Sequence, residues 1–159
     1  MPESNTLKIK LSINGKQGNY EIQPNERLLD FLRKQGFKGA KKGCAEGTCG
    51  ACTILLDGLP VYSCIMLTHQ AAGHEITTIE SLGTVKEPHL IQKTFVEEGA
   101  VQCGFCTPGM VLSTYALLEK NPSPTEDEIK TALDGNLCRC TGYVNIINAV
   151  KKLALKQGA

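Results

Sequence analysis

Gly43-Cys44-Ala45-Glu46-Gly47-Thr48-Cys49-Gly50-Ala51-Cys52, completed by Cys64, is the stretch with the most specific chemistry in this sequence. Its cysteines are separated by four, two and eleven residues. Four thiolates at those intervals can converge on a small volume. Thiolates are the soft ligands that iron–sulfur clusters select, and this spacing is one that holds a [2Fe–2S] cluster. Gly43, Gly47 and Gly50 are expected to let the loop take positive φ and pass close to the inorganic sulfurs. Backbone N–H groups in such a loop can donate to sulfur and so adjust the reduction potential.

A second set of cysteines lies further along the chain. Cys103 and Cys106 sit in Gln102-Cys103-Gly104-Phe105-Cys106-Thr107-Pro108-Gly109, and Cys138 and Cys140 in Asn136-Leu137-Cys138-Arg139-Cys140-Thr141-Gly142-Tyr143. Each pair is expected after the end of one helix and at the start of another. Antiparallel helices can bring two such ends together, and helix N-termini favour negative charge, which suits four thiolates. Arg139 adds a positive charge between two of the ligands. Two other uses of cysteine compete. A disulfide framework suits an even cysteine count in a short secreted chain, but no leader is visible and the chain is long. Structural zinc is the stronger rival for Cys-x₂-Cys pairs, although Cys138-x-Cys140 is tighter than the usual zinc spacing. His69, His74 and His89 fall at unrelated positions and give no support to a histidine-ligated centre.

The elements that must position these residues change period half-way. Leu7, Ile9, Leu11 and Ile13 alternate with polar residues, Asn14-Gly15 suits a type I′ turn, and Tyr20 and Ile22 resume the alternation. Asn25 is expected to cap a helix over 27–35 that Gly36 stops. After the cysteine loop come strands at 53–56 and 59–62 around an Asp57-Gly58 turn, and a last strand at 75–79. From about residue 85 the pattern is helical. Leu90, Ile91, Thr94 and Phe95 mark a helix ended by Gly99; Thr107-Pro108 opens a second; Thr125 and Glu128 form a capping box for a third; 143–156 is the fourth. The expected fold is α+β, with a domain over 1–82 followed by a four-helix bundle over 83–159.

Composition excludes several functions. The chain has 159 residues, 42% of them hydrophobic and 21% charged, which describes a globular protein. Seventeen basic against sixteen acidic side chains leave no nucleic-acid footprint. No run approaches the ~18 apolar residues of a membrane span, and residues 1–12 show no secretory leader, so a cytoplasmic location is expected. No Ser/His/Asp arrangement, phosphate loop or dinucleotide fingerprint occurs.

Taken together, Cys44-x₄-Cys49-x₂-Cys52-x₁₁-Cys64 and Cys103-x₂-Cys106-x₃₁-Cys138-x-Cys140 resemble the iron–sulfur subunit of molybdenum hydroxylases, the xanthine dehydrogenase and aldehyde oxidoreductase family. The first half is similar to the β-grasp fold of plant-type ferredoxins. The resemblance covers about 7–153 and fills all eight ligand positions. It implies two [2Fe–2S] clusters, one held by Cys44, Cys49, Cys52 and Cys64 and facing a flavin, the other held by Cys103, Cys106, Cys138 and Cys140 and facing molybdopterin. Gln102 and Cys140 match the positions that approach the pterin. Molybdopterin and FAD would belong to a large and a medium partner subunit, in a heterotrimer or its dimer, with electrons passing singly from molybdenum to flavin. An autonomous ferredoxin-type carrier is the competing function, but it needs only one cluster and no helical half. A zinc-stabilised interaction protein is the third.

Each half is about 75 residues, marginal for an independent core, so bound clusters should add stability directly. Iron removal is expected to reduce the helical circular dichroism, with the loss centred on the second half; an unchanged spectrum would contradict this.

Overall fold

A computed structural model describes residues 6–157. The outer ends of the two expected domains, 1–5 and 158–159, and with them part of the stretch read as lacking a leader, lie outside the described residues.

The first half is a five-stranded mixed sheet in the order β2-β1-β5-β3-β4. β1 (Leu7–Ile13) and β2 (Lys16–Ile22) are antiparallel, with Leu7 opposite Ile22. Asn14 (φ 53°) and Gly15 (φ 74°) turn between them, both in the left-handed region that a two-residue hairpin needs. Asp57 and Gly58 make the same kind of turn between β3 (Thr53–Leu56) and β4 (Leu59–Tyr62). Helix α1 (Leu28–Lys34) lays Leu28, Leu29, Phe31 and Leu32 on the core, where Phe31 meets Tyr20 edge-to-face at 5.2 Å.

Two boundaries in this half differ from the sequence reading. Asn25 does not cap α1; the N-cap is Arg27, with no side-chain cap. The first amides of the helix are satisfied from a distance, Leu28 N donating to Met66 O at 2.8 Å and Leu29 N to Ser63 O at 3.0 Å. The start of α1 is thereby fastened to the segment carrying Cys64. The last strand, β5 (Glu75–Thr77), stops short of Ile79. Thr78 turns aside to exchange two hydrogen bonds with the Asn14 side chain, at 2.8 and 2.9 Å, and Ile79–Ser81 forms a short 3₁₀ turn.

The second half packs α2 (Leu90–Glu97), α3 (Thr107–Lys120), α4 (Glu126–Leu133) and α5 (Val144–Gln157) around Ile91, Phe95, Met110, Ile129, Val150 and Leu153. The end of α2 falls where Gly99 takes φ 64°. Its start is capped by His89, whose Nδ1 accepts from Ile91 N at 3.3 Å while Gln92 Oε1 accepts from His89 N at 2.8 Å. α3 begins at Thr107 itself, so Cys106 and not Thr107 occupies the N-cap position. The Thr125–Glu128 capping box opens α4, with Thr125 N donating to Glu128 Oε2 at 2.7 Å and Glu128 N to Thr125 Oγ1 at 3.3 Å.

Thr125→Ala removes one side of that box and is expected to cost about 1 kcal/mol. Chemical unfolding of the cluster-loaded chain, followed by circular dichroism, should show the loss; equal midpoints for the two proteins would contradict it.

Candidate metal centres

Local structure brings the first four cysteines together from two directions. Cys52 immediately precedes β3 and Cys64 follows β4, so one hairpin delivers both. Ser63 closes the open end of that hairpin by donating its hydroxyl to Cys52 O at 2.7 Å. The Cys52 and Cys64 thiols are buried and neighbour each other. Burial pushes the Cys52 thiol up to about 12. Cys44 lies in the opposite environment. Its Sγ faces the Thr48 hydroxyl and accepts from Glu46 N at 3.5 Å and Thr48 N at 3.3 Å. Those donors hold the thiol down to about 5. The Thr48 hydroxyl also lies 3.4 Å from Glu46 Oε1, and Cys44 N points at Cys49 Sγ at 3.4 Å.

Gly47 and Gly50 take the positive φ expected of the loop, whereas Gly43 does not and Ala45 does, at 61°. Arg27 steadies that strained turn from outside, donating Nη1 to Ala45 O at 2.9 Å. A Cβ on Gly43 would stand 2.8 Å from Cys49 Sγ, so its smallness makes room for the thiol. Gly50 has a different use. A Cβ there would stand 2.2 Å from Gly135 O, which belongs to the second half of the chain.

The second four thiols converge at one end of the helical bundle. Cys106 approaches Cys138, and Cys103 approaches Cys140. Burial drives the Cys106 thiol up to about 12, with the Cys138 thiol adding to the rise. Cys138 feels burial too, but the Thr141 hydroxyl, 3.1 Å from its Sγ, and nearby backbone N–H groups outweigh it and lower the thiol. Cys140 is raised chiefly by the neighbouring Cys103 thiol. Cys103, Cys140, Gln102 and Arg139 are exposed, and Phe105 is 47% exposed. Tyr143 lies outside α5, which begins one residue later than the sequence suggested because Tyr143 takes φ 67°. Its hydroxyl accepts from Cys138 N at 2.9 Å and donates to Asn136 O at 3.1 Å, pinning the loop that carries Cys138 and Cys140.

Among the described residues, no three Cys, His, Asp or Glu side chains gather to hold a single ion. The thiols gather instead in two sets, Cys52 lying near Cys49 and Cys64, and both Cys106 and Cys140 lying near Cys103 and Cys138. A binuclear cluster asks for four thiolates, and four gathered thiols with N–H and O–H donors aimed at sulfur fit that demand.

The two sets of loops touch, which the sequence did not announce. Leu137 N donates to Cys49 O at 2.9 Å, and the Tyr62 hydroxyl donates to Gly135 O at 2.8 Å. Between them Asn136, 2% exposed, donates Nδ2 to Gly50 O and Thr53 Oγ1, both at 3.0 Å, and accepts from Ser113 Oγ at 2.7 Å. Leaving such a buried amide unpaired costs about 1–3 kcal/mol. In sequence Asn136 looks like any turn asparagine beside a glycine. No local pattern distinguishes it, because its partners are far away along the chain. Gly109 on α3 belongs to the same junction: a Cβ there would meet Gly50 O and Asn136 Nδ2, both at 2.7 Å.

Comparison with known proteins agrees with this geometry. Residues 11–76 match the family described as 2Fe-2S iron-sulfur cluster binding domain, and 78–151 match the [2Fe-2S] binding domain family. The chain is 51% identical to the nicotinate dehydrogenase small FeS subunit of Eubacterium barkeri, over 92% of its own length and 94% of the relative's. The chain belongs to the iron–sulfur small subunits of the molybdenum hydroxylase family. Another such subunit, the xanthine dehydrogenase iron-sulfur-binding subunit of Escherichia coli O157:H7, is 44% identical over 94% of this chain and 96% of its own. The crystal structure of quinoline 2-oxidoreductase from Pseudomonas putida 86 superposes with a TM-score of 0.92 at 42% identity, covering 98% of this chain and 96% of the matched one. As an iron–sulfur small subunit, the protein carries two [2Fe–2S] clusters and transfers electrons as a component of an oxidoreductase. No helix among the described residues is long and apolar enough to cross a membrane.

Thr48→Val removes the hydroxyl that contributes most to the lowered Cys44 thiol. In the cluster-free chain the variant thiol should titrate at higher pH, so the pH profile of its alkylation rate shifts upward; superimposable profiles would refute this role for Thr48.

Proposed function

We propose that Cys44, Cys49, Cys52 and Cys64 hold one [2Fe–2S] cluster and that Cys103, Cys106, Cys138 and Cys140 hold the other. The observation that supports this assignment is the gathering of the thiols in two sets, Cys44 N on Cys49 Sγ at 3.4 Å and Cys52 near Cys49 and Cys64 in one, Cys106 and Cys140 near Cys103 and Cys138 in the other. Each cluster, when bound, supplies a site that takes up and gives back one electron. The chain's own residues provide thiolates, aim N–H and O–H donors at sulfur, and cover Cys52 and Cys64 from water.

The second set faces outward, and with it Gln102. We therefore place the molybdopterin of a large subunit against Gln102 and Cys140, where Cys103 and Cys140 are exposed. The first set faces the FAD of a medium subunit across Ile65, which is 61% exposed beside Gly47. In that arrangement the cluster held by Cys103, Cys106, Cys138 and Cys140 would take single electrons from the molybdenum side, and the cluster held by Cys44, Cys49, Cys52 and Cys64 would pass them to the flavin side. The complex is a heterotrimer or its dimer, located in the cytoplasm. The chain divides functionally at 82/83, each part holding its own cluster.

Electron paramagnetic resonance of the reduced complex tests the assignment. Cys52→Ser is expected to erase or reshape one [2Fe–2S] signal and Cys106→Ser the other, each leaving its counterpart in place. Two unaltered signals in either variant would overturn the assignment.

A further inference from the structure

We propose that Asn136 is a positioning residue for electron passage between the two clusters, holding the loop of Cys138 and Cys140 in register against the loop of Cys49 and Cys52. The inference rests on the ligand assignment above. Its starting point is one side chain that touches residues next to both cysteine sets. Gly50, which accepts from Asn136 Nδ2, follows Cys49; Thr53, which also accepts from it, follows Cys52. Ser113, which donates to Asn136 Oδ1, sits on the helix that Cys106 opens. Asn136 itself stands two residues before Cys138.

The chemistry required at this position is narrow. The amide donates twice and accepts once, so both of its N–H bonds are used. An aspartate could not donate to Gly50 O and would place a buried charge against a carbonyl. A leucine of similar size would leave the Ser113 hydroxyl without its acceptor. Nor is there space for a longer side chain, since a single methyl on Gly50 or Gly109 would already press to within 2.6 or 2.7 Å of Asn136 Nδ2.

The consequence reaches the cluster ligands through one peptide. With the Asn136 side chain locked, the next amide, Leu137 N, lies on Cys49 O at 2.9 Å. Leu137 is bonded to Cys138, so one hydrogen bond joins the covalent frames of a ligand from each set. Electron transfer between centres falls steeply with their separation. A residue that fixes this contact therefore sets the rate of exchange between clusters without touching either.

The test uses the intact complex with Asn136→Asp, and with Thr53→Val and Ser113→Ala, which each remove one partner of the amide and leave Asn136 in place. Three quantities are read: iron per chain, the magnetic splitting between the two clusters when both are reduced, and the exchange rate of the Leu137 amide hydrogen. The expected result is full iron in the partner variants, loss or narrowing of the splitting, and faster exchange at Leu137, with Asn136→Asp the most affected wherever it assembles. Full iron with an unchanged splitting in Thr53→Val and Ser113→Ala would overturn the proposal, whatever Asn136→Asp does. An unmodified chain that shows fewer than two clusters would instead sink the ligand assignment on which the proposal stands.

Discussion

One constraint runs through this small protein: eight cysteine thiols are brought together in two groups, and each group bears the mutual repulsion and the cost of leaving water that come with ionising them. The two groups meet it differently. The first is wrapped by a loop whose N–H groups point at sulfur and whose partners Cys52 and Cys64 arrive on one hairpin. The second stands where helices begin, with the Thr141 and Tyr143 hydroxyls holding the loop of Cys138. Burial raises Cys52 and Cys106 strongly, so those two thiols resist ionisation in the free chain. Cys44 and Cys138, ringed by donors, ionise more readily. Each group thus combines a reluctant thiol with a willing one.

The chain was legible wherever the controlling contact is local. Asn14-Gly15 and Asp57-Gly58 sit at their turns because both residues of each must take positive φ, and few residues do so cheaply. Thr125 and Glu128 declare their helix start because the bonds that make it span three residues. The cysteine intervals are equally local in the first set. What escaped was long-range. The cap of α1 is supplied by Met66 O and Ser63 O, which no reading of Asn25 could suggest. Thr78 leaves the sheet for the Asn14 side chain, ending a strand whose pattern runs on. His89, set aside as an isolated histidine, caps α2 through its ring nitrogen. Asn136 is the sharpest case, since its partners stand at positions 50, 53 and 113.

That last contact changes how the two halves relate. Their apolar cores are separate, one built on the sheet with α1 and the other among α2–α5. They are joined by a polar seam made of Tyr62, Gly135, Asn136 and Leu137, with Gly50 and Gly109 kept free of side chains so that it closes. An apolar seam would tolerate sliding. A seam of directional hydrogen bonds has one register, and a relay between two redox centres benefits from a separation that does not drift.

The most direct measurement is the metal and sulfide content of the purified, fully loaded chain. Two clusters require about four irons and four acid-labile sulfides per chain, with a charge-transfer absorption that bleaches on reduction. Zinc in place of iron, or about two irons per chain at full loading, would contradict the account.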